Sequence, residues 1–208
     1  MVTASEFWDR VAERYARRTI KNQGAYEQTL AATAALLSRE DRVLELGCGT
    51  GSTALRLADR VAHITATDGA PKMVRIAEEK RLAAGMETVE MQVATPATAP
   101  AGAFDAVLAF NFLHLLDDLE DSLAQIHART RPGGVFISKT VCLGEMTVLL
   151  RPVIWGLQRI GWAPYVQYVT TAQLEAAIAA AGFEIEQSCT FDDAPRSRFI
   201  AARRPAAP

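Results

Sequence analysis

Residues 43–51 read Val-Leu-Glu-Leu-Gly-Cys-Gly-Thr-Gly, a short apolar run ending in Glu45, then glycines at 47, 49 and 51. An amphipathic stretch from Thr53 to Arg60 follows, and then a second apolar run, His63 to Asp68. Strand, tight glycine turn, helix, strand is the expected order. Glycine has no Cβ and tolerates positive φ, so the turn can bring backbone close to a ligand. Asp68 falls about 20 residues after the loop begins, where a dinucleotide fold places the acid that binds ribose hydroxyls. Both acids would end neighbouring parallel strands, the edge at which open α/β sheets bind ligands. Alternatively, the glycines form only a tight turn and Asp68, helped by Gly69, is a turn former.

The alternation extends outward from this unit. A helix is expected at about 72–84, strands at 87–93 and 106–110, and a helix at 118–129. Arg131-Pro-Gly-Gly134 should mark a turn before the strand Val135–Thr140. Before residue 42, Ser5 can cap a helix with Phe7, Val11 and Tyr15 on one face, and a second helix from about Ala25 carries Tyr26, Leu30 and Leu37. Near the end, Thr170 or Thr171 caps a helix that Gly182 stops. Residues 183–188 and 197–204 are then strands too close together for a crossover helix, so they should pair antiparallel. This is an α/β pattern, with a mostly parallel sheet covered on both faces.

The 208 residues fit one domain, and a composition that is 50% hydrophobic and 22% charged excludes disorder. A net charge of −2 provides no global field toward nucleic acid, so none is expected as a partner. Cys48, Cys142 and Cys189 have no zinc-like spacing and read as reduced thiols. With an N-terminus unlike a signal peptide and no long uncharged apolar run, the expected location is cytoplasmic.

Glu45-Leu-Gly-Cys-Gly-Thr-Gly51 closely resembles the first motif of class I S-adenosylmethionine-dependent methyltransferases. Asp68-Gly-Ala-Pro-Lys-Met73 resembles that family's second motif, with Ala70 replacing the usual Ser. Phe104-Asp105 and the strand after it, Thr130-Arg-Pro-Gly-Gly134, and the closing helix and hairpin also agree. The resemblance covers nearly the whole chain. It implies a Rossmann-like, seven-stranded, mostly parallel sheet with an antiparallel C-terminal hairpin, helices on both faces and an N-terminal helical cap. The corresponding divisions are 1–40 as cap, 41–140 as cofactor-binding core, 141–169 as insertion or lid, and 170–208 as last helix and hairpin. S-adenosyl-L-methionine is the implied cofactor, held by Glu45, Gly47, Cys48, Gly49, Gly51, Asp68, Gly69 and Met73. The family usually places an Asp for the adenine amino group after the third strand; here only Ala94, Thr95 and backbone are available, and Thr95 is the candidate. The resemblance also puts the helix bearing Trp8 and Tyr15 over the methionine end.

Trp8, Tyr15 and Phe110 are candidate aromatic faces for the sulfonium, or else core aromatics at helical spacing. His114, just beyond the fourth strand, is the candidate catalytic residue toward the acceptor, against packing or capping; His63 and His127 read as structural. Asn111-Phe-Leu lacks the Asn-Pro-Pro-aromatic set of base-methylating enzymes. With no acid at that strand end for magnesium, no metal is expected. Lys139 and Thr140 end the fifth strand and could line the pocket. The insertion has an apolar face with Trp155, Trp162, Tyr165 and Tyr168, which suggests a small apolar or aromatic acceptor. It could equally cover the sheet, make a dimer contact, or, through 146–162 with Arg151 and Arg159, touch a membrane or lipid. The rival functions are a nicotinamide-dependent oxidoreductase, disfavoured by Ser52 where its fingerprint wants Gly or Ala, and a catalytically silent cofactor-binding protein.

Overall fold

A computed structural model describes residues 3–145, 151–191 and 197–206. Strands β1 (Arg42–Leu46), β2 (His63–Asp68), β3 (Val89–Val93), β4 (Phe104–Phe110), β5 (Thr130–Val141), β6 (Glu184–Cys189) and β7 (Ser197–Arg203) form one sheet. Their order is β3-β2-β1-β4-β5-β7-β6. The first five are parallel, while β7 runs antiparallel to both β5 and β6. The helices are α1 (Ala4–Ala16), α2 (Gln23–Ala34), α3 (Ser52–Leu57), α4 (Pro71–Ala83), α5 (Leu119–Arg129), α6 (Arg151–Arg159) and α7 (Thr171–Ala180).

Both faces of the central strands are buried, which is why they read as unbroken apolar runs. Alternate residues feed different cores. Leu44, Leu46, Val107 and Phe136 pack with residues of α5 and α7, whereas Val43, Ile64, Leu108 and Ile137 pack on the other side with Leu30 of α2 and Leu57 of α3. The edge strand β6 is polar on its outer positions, and Glu186 pairs with Arg203 of β7 at 2.6 Å. Such charges discourage further strand pairing. Strands β1 and β4 are neighbours, yet the chain leaves β1 toward β2 and comes back to β4 only after β3. The crevice at this reversal is where an open α/β sheet receives a ligand.

Several local expectations are corrected. Thr3, not Ser5, caps α1, because Thr3 and Glu6 form a reciprocal capping box; the Ser5 hydroxyl instead donates to the Gly69 carbonyl at 2.6 Å. Helix α2 ends at Ala34, so Leu37 lies beyond it while still packing on the core. Arg131–Gly134 is an irregularity within β5 rather than a turn before it: pairing with β4 jumps from Phe104↔Thr130 to Ala106↔Val135. The Gly133 N–H donates to the Arg204 carbonyl at 2.8 Å, which keeps this stretch in the sheet. Thr170 and Gln173 form the capping box of α7.

Candidate active site

Glycines 47, 49 and 51 all have positive φ, but the space beside each differs. A Cβ on Gly47 would lie 2.2 Å from the Phe112 ring, and one on Gly51 would lie 2.8 Å from Met91 and 2.9 Å from Ala77. These two let other parts of the protein approach. At Gly49 the nearest atom is Tyr15 Cε1 at 3.9 Å, so its bare side is left to a ligand. The turn is tied to β2 through the Cys48 N–H, which donates to the Thr67 carbonyl at 2.9 Å.

Asp68 holds the turn together. One carboxylate oxygen accepts the Gly49 N–H and the other the Ala70 N–H, each at 2.9 Å. Burial raises its pKa, and these two N–H groups oppose that rise. Glu45, at the end of β1, is fully buried, and its Oε2 has no partner. Burial first, then the Asp68 charge, pushes its pKa up to about 8. An unpaired carboxyl oxygen here is costly unless a donor or cation arrives.

A cavity of about 1040 Å³ opens over this edge of the sheet. Its wall includes Trp8, Tyr15, Glu45, Gly47, Cys48, Gly49, Asp68, Gly69, Met73, Thr95 and Phe110. The structure thus brings together eleven of the anticipated site residues. Trp8 and Tyr15 meet edge to face with centroids 5.7 Å apart, and burial, followed by the Asp68 charge, raises the Tyr15 pKa. Met73 is buried with Ala12, Ala70 and Ile76, fastening α4 to α1. Thr95 lies within hydrogen-bonding distance of Thr98, hydroxyl to hydroxyl at 3.2 Å. Two anticipated residues stand outside the wall. Gly51 is the N-cap of α3, and His114 sits in a 3-10 turn (Leu113–Leu115) where burial pushes its pKa down to about 4 and its Nδ1 has no partner.

Tyr26, Asn111, Phe112, Leu115 and Leu116 also line the cavity and were missed. Asn111 is the one non-glycine with positive φ among the described residues, and its N–H donates to the Lys139 carbonyl. That bend turns the chain so that Phe112 reaches Gly47. Only the Asn111 residue type hints at it, since Asn accepts this conformation more readily than most. Lys139 does not line the cavity: its Nζ donates to Thr29 Oγ1 at 2.9 Å and to the Ala25 carbonyl at 3.3 Å, anchoring α2 on the sheet. None of the described residues of 151–169 lines the cavity either, and 146–150 lie outside the described residues. Arg17, Arg18 and Lys21 and also Asp117, Asp118 and Asp121 line the cavity.

Residues 14–188 match the family model described as a methyltransferase domain. The chain belongs to that family. It is a class I S-adenosylmethionine-dependent methyltransferase domain, and the orphaned Glu45 oxygen, the open side of Gly49 and the fixed Asp68 carboxylate fit that cofactor. Among curated relatives, the ubiquinone biosynthesis O-methyltransferase of Methylocella silvestris is 31% identical over 147 residues, 67% of this chain and 57% of that protein. The demethylmenaquinone methyltransferase of Thermus thermophilus is 38% identical over 104 residues, 48% of this chain and 47% of that protein. The matched regions thus span only about half the length of these relatives, 57% of one and 47% of the other. Among solved structures, the [4+2]-cyclase SpnF superposes with a TM-score of 0.80 at 19% identity, covering 98% of this chain and 95% of that one. This last likeness concerns the fold alone.

Proposed function

We propose that this protein transfers the methyl group of S-adenosylmethionine to a small, apolar, aromatic acceptor of a quinone-like class. The observation that carries the reading is the cavity itself: a glycine turn and two strand-end carboxylates on one side, with Trp8, Tyr15, Tyr26, Phe110, Phe112 and Leu116 elsewhere on the wall. The quinone-like class is suggested by the names of the relatives.

When bound, the cofactor supplies a methyl group already activated by its sulfonium. The protein's part is therefore to hold and align. Asp68 would accept the ribose hydroxyls, Thr95 would border the adenine, and Glu45 would meet the cationic methionine end, with Arg18 and Tyr15 toward its carboxylate. Aromatic faces beside a desolvated cation contribute on the order of 0.5–2 kcal/mol each. Alignment of the acceptor against the methyl group can supply up to roughly 7–11 kcal/mol. A phenolic acceptor would lose its hydroxyl proton to water as its oxygen takes the methyl group and the sulfur–methyl bond breaks, leaving S-adenosylhomocysteine. His114, off the cavity wall and uncharged near neutral pH, serves as a packing group in this reading rather than as the base.

Calorimetric titration with S-adenosylmethionine and S-adenosylhomocysteine, with NADH and NADPH as controls, tests the cofactor. Saturable binding of the sulfur ligands alone is expected. An acceptor screen of catechols, hydroquinones and naphthoquinols, reading S-adenosylhomocysteine release, then tests the transfer. Hydride transfer from a nicotinamide, or turnover confined to polar aliphatic amines, would overturn the reading.

A further inference from the structure

The insertion carries the most exposed apolar surface among the described residues. Trp162 is 75% exposed, Ile160 60%, Trp155 59% and Val153 58%, although large side chains of these types are ordinarily buried. They lie on α6 and the turn after it. This surface is also basic: residues 146–169 contain Arg151 and Arg159 and no Asp or Glu, in a chain whose net charge is −2. Each guanidinium lies against an aromatic ring, Arg159 over Trp155 at 4.9 Å and Arg151 over Tyr168 at 4.8 Å. Positive charge is thus held against rings of the same segment, exposed at Trp155 and half-buried at Tyr168.

The segment is not poised to fall into the cavity. Its two ends are pinned together where the Gly144 N–H donates to the Val169 carbonyl at 2.9 Å. Its return path is held by the Gln167 N–H on the His114 carbonyl at 2.8 Å, and Arg10 of α1 donates to the Gly161 carbonyl. A second copy of the chain is a poor partner, because a twofold contact of this face on itself brings arginines together with no carboxylate to receive them. An apolar, aromatic surface rimmed by cations is instead complementary to an anionic bilayer, where indole rings enter the interface and arginines meet headgroups.

We infer that α6 and the turn through Trp162 form a peripheral docking surface for anionic membranes. It lies beside α1, whose Trp8 and Tyr15 line the cavity, so docking places the cap next to the lipid surface. This goes beyond the proposed transfer reaction and does not depend on it.

The test is co-sedimentation of the full chain with vesicles of phosphatidylcholine alone or mixed with phosphatidylglycerol. Two arginines at the surface should give roughly thirtyfold tighter binding to the anionic vesicles, weakened by added salt. The double variant Trp155→Ala/Trp162→Ala should lose at least about tenfold in partitioning. Arg151→Gln/Arg159→Gln should remove the preference for phosphatidylglycerol. S-adenosylhomocysteine binding and unfolding temperature should be unchanged in both variants. Failure of the wild type to sediment, equal sedimentation of wild type and variants, or a dimer that the tryptophan variant dissociates would each overturn the inference. Failure of wild type to bind S-adenosylhomocysteine counts against the proposed function and leaves the vesicle result standing.

Discussion

The loop after β1 and the segment after β5 both leave the same edge of the sheet, but they meet opposite constraints. In the first, the backbone is closely held except on the open side of Gly49: Gly47 makes room for Phe112, Gly51 for Met91 and Ala77, and the two oxygens of Asp68 each hold a backbone N–H. In the second, α6 carries large apolar side chains that stay exposed, and the described residues of the insertion are tied to the rest of the protein at Gly144–Val169, at Gln167 and at Gly161. The difference shows that burial of the local backbone governs how much a residue can change. A single methyl group should matter in the loop, and a whole indole should not matter for stability on α6.

The largest effect is expected for Gly47→Ala, which sets a Cβ against the Phe112 ring in a left-handed backbone conformation. Overpacking and strain together should cost about 2–5 kcal/mol. Denaturant unfolding measures that loss, and titration should find no S-adenosylmethionine binding. Adding Phe112→Ala should recover the overpacking share and leave the strain; no recovery would mean that the ring is not what the glycine accommodates.

Next comes Asp68→Ala, which removes a carboxylate that organises the turn and is assigned to the ribose. Loss of charged hydrogen bonds predicts an affinity fall on the order of 100-fold, with the fold retained. Unchanged affinity in a folded variant would remove the ribose assignment.

Glu45 gives a smaller effect with a definite sign. Its carboxyl titrates near 8 in the folded protein against 4.5 ordinarily, so the folded state binds the extra proton between those values. Its contribution to stability is therefore greatest below about pH 4.5 and is lost as pH rises toward 8. Glu45→Gln should flatten this slope, so that the variant gains about 2–4 kcal/mol relative to wild type between pH 5 and pH 8. Parallel unfolding curves for the two proteins across that range would contradict the assigned burial. A cationic ligand beside Glu45 favours its charged form, so S-adenosylmethionine affinity should rise over the same window and lose that dependence in the variant.

The smallest change is expected for Trp155→Ala with Trp162→Ala. Both side chains are exposed, and the contact of Trp155 with Arg159 is itself at the surface, so stability should shift by no more than about 0.5–1 kcal/mol. A loss of several kcal/mol would show that α6 is covered within the protein itself and would narrow the contrast with the loop.

Much of this architecture was legible beforehand because it rests on short-range rules. The alternating runs around residues 43–51, the acid at 68, the stop at Gly182 and the close spacing of the last two strands all follow from periodicity and turn chemistry, and the sheet is parallel through β5 with an antiparallel closing pair. The misplaced details involve competition between equivalent residues. Thr3 and Ser5 can both cap a helix, and only Glu6 three positions beyond Thr3 decides between them. Arg131-Pro-Gly-Gly134 carries a turn signal, yet the Gly133 N–H on the Arg204 carbonyl and the Arg204 N–H on the Gly134 carbonyl, contacts between distant parts of the chain, keep it in the sheet.

What the sequence by itself determined was the glycine turn with its two acids, since positive φ, strand ends and a fixed spacing are local properties of the chain. What only the tertiary structure decided was which groups those features face. Phe112 fills the space beside Gly47, Lys139 anchors α2 instead of lining the cavity, His114 is not among the residues of its wall, and Trp155 and Trp162 remain at the surface. These outcomes depend on contacts between residues far apart in the chain. Hydrophobic periodicity states that a side chain seeks an apolar partner, but it does not say which one it finds.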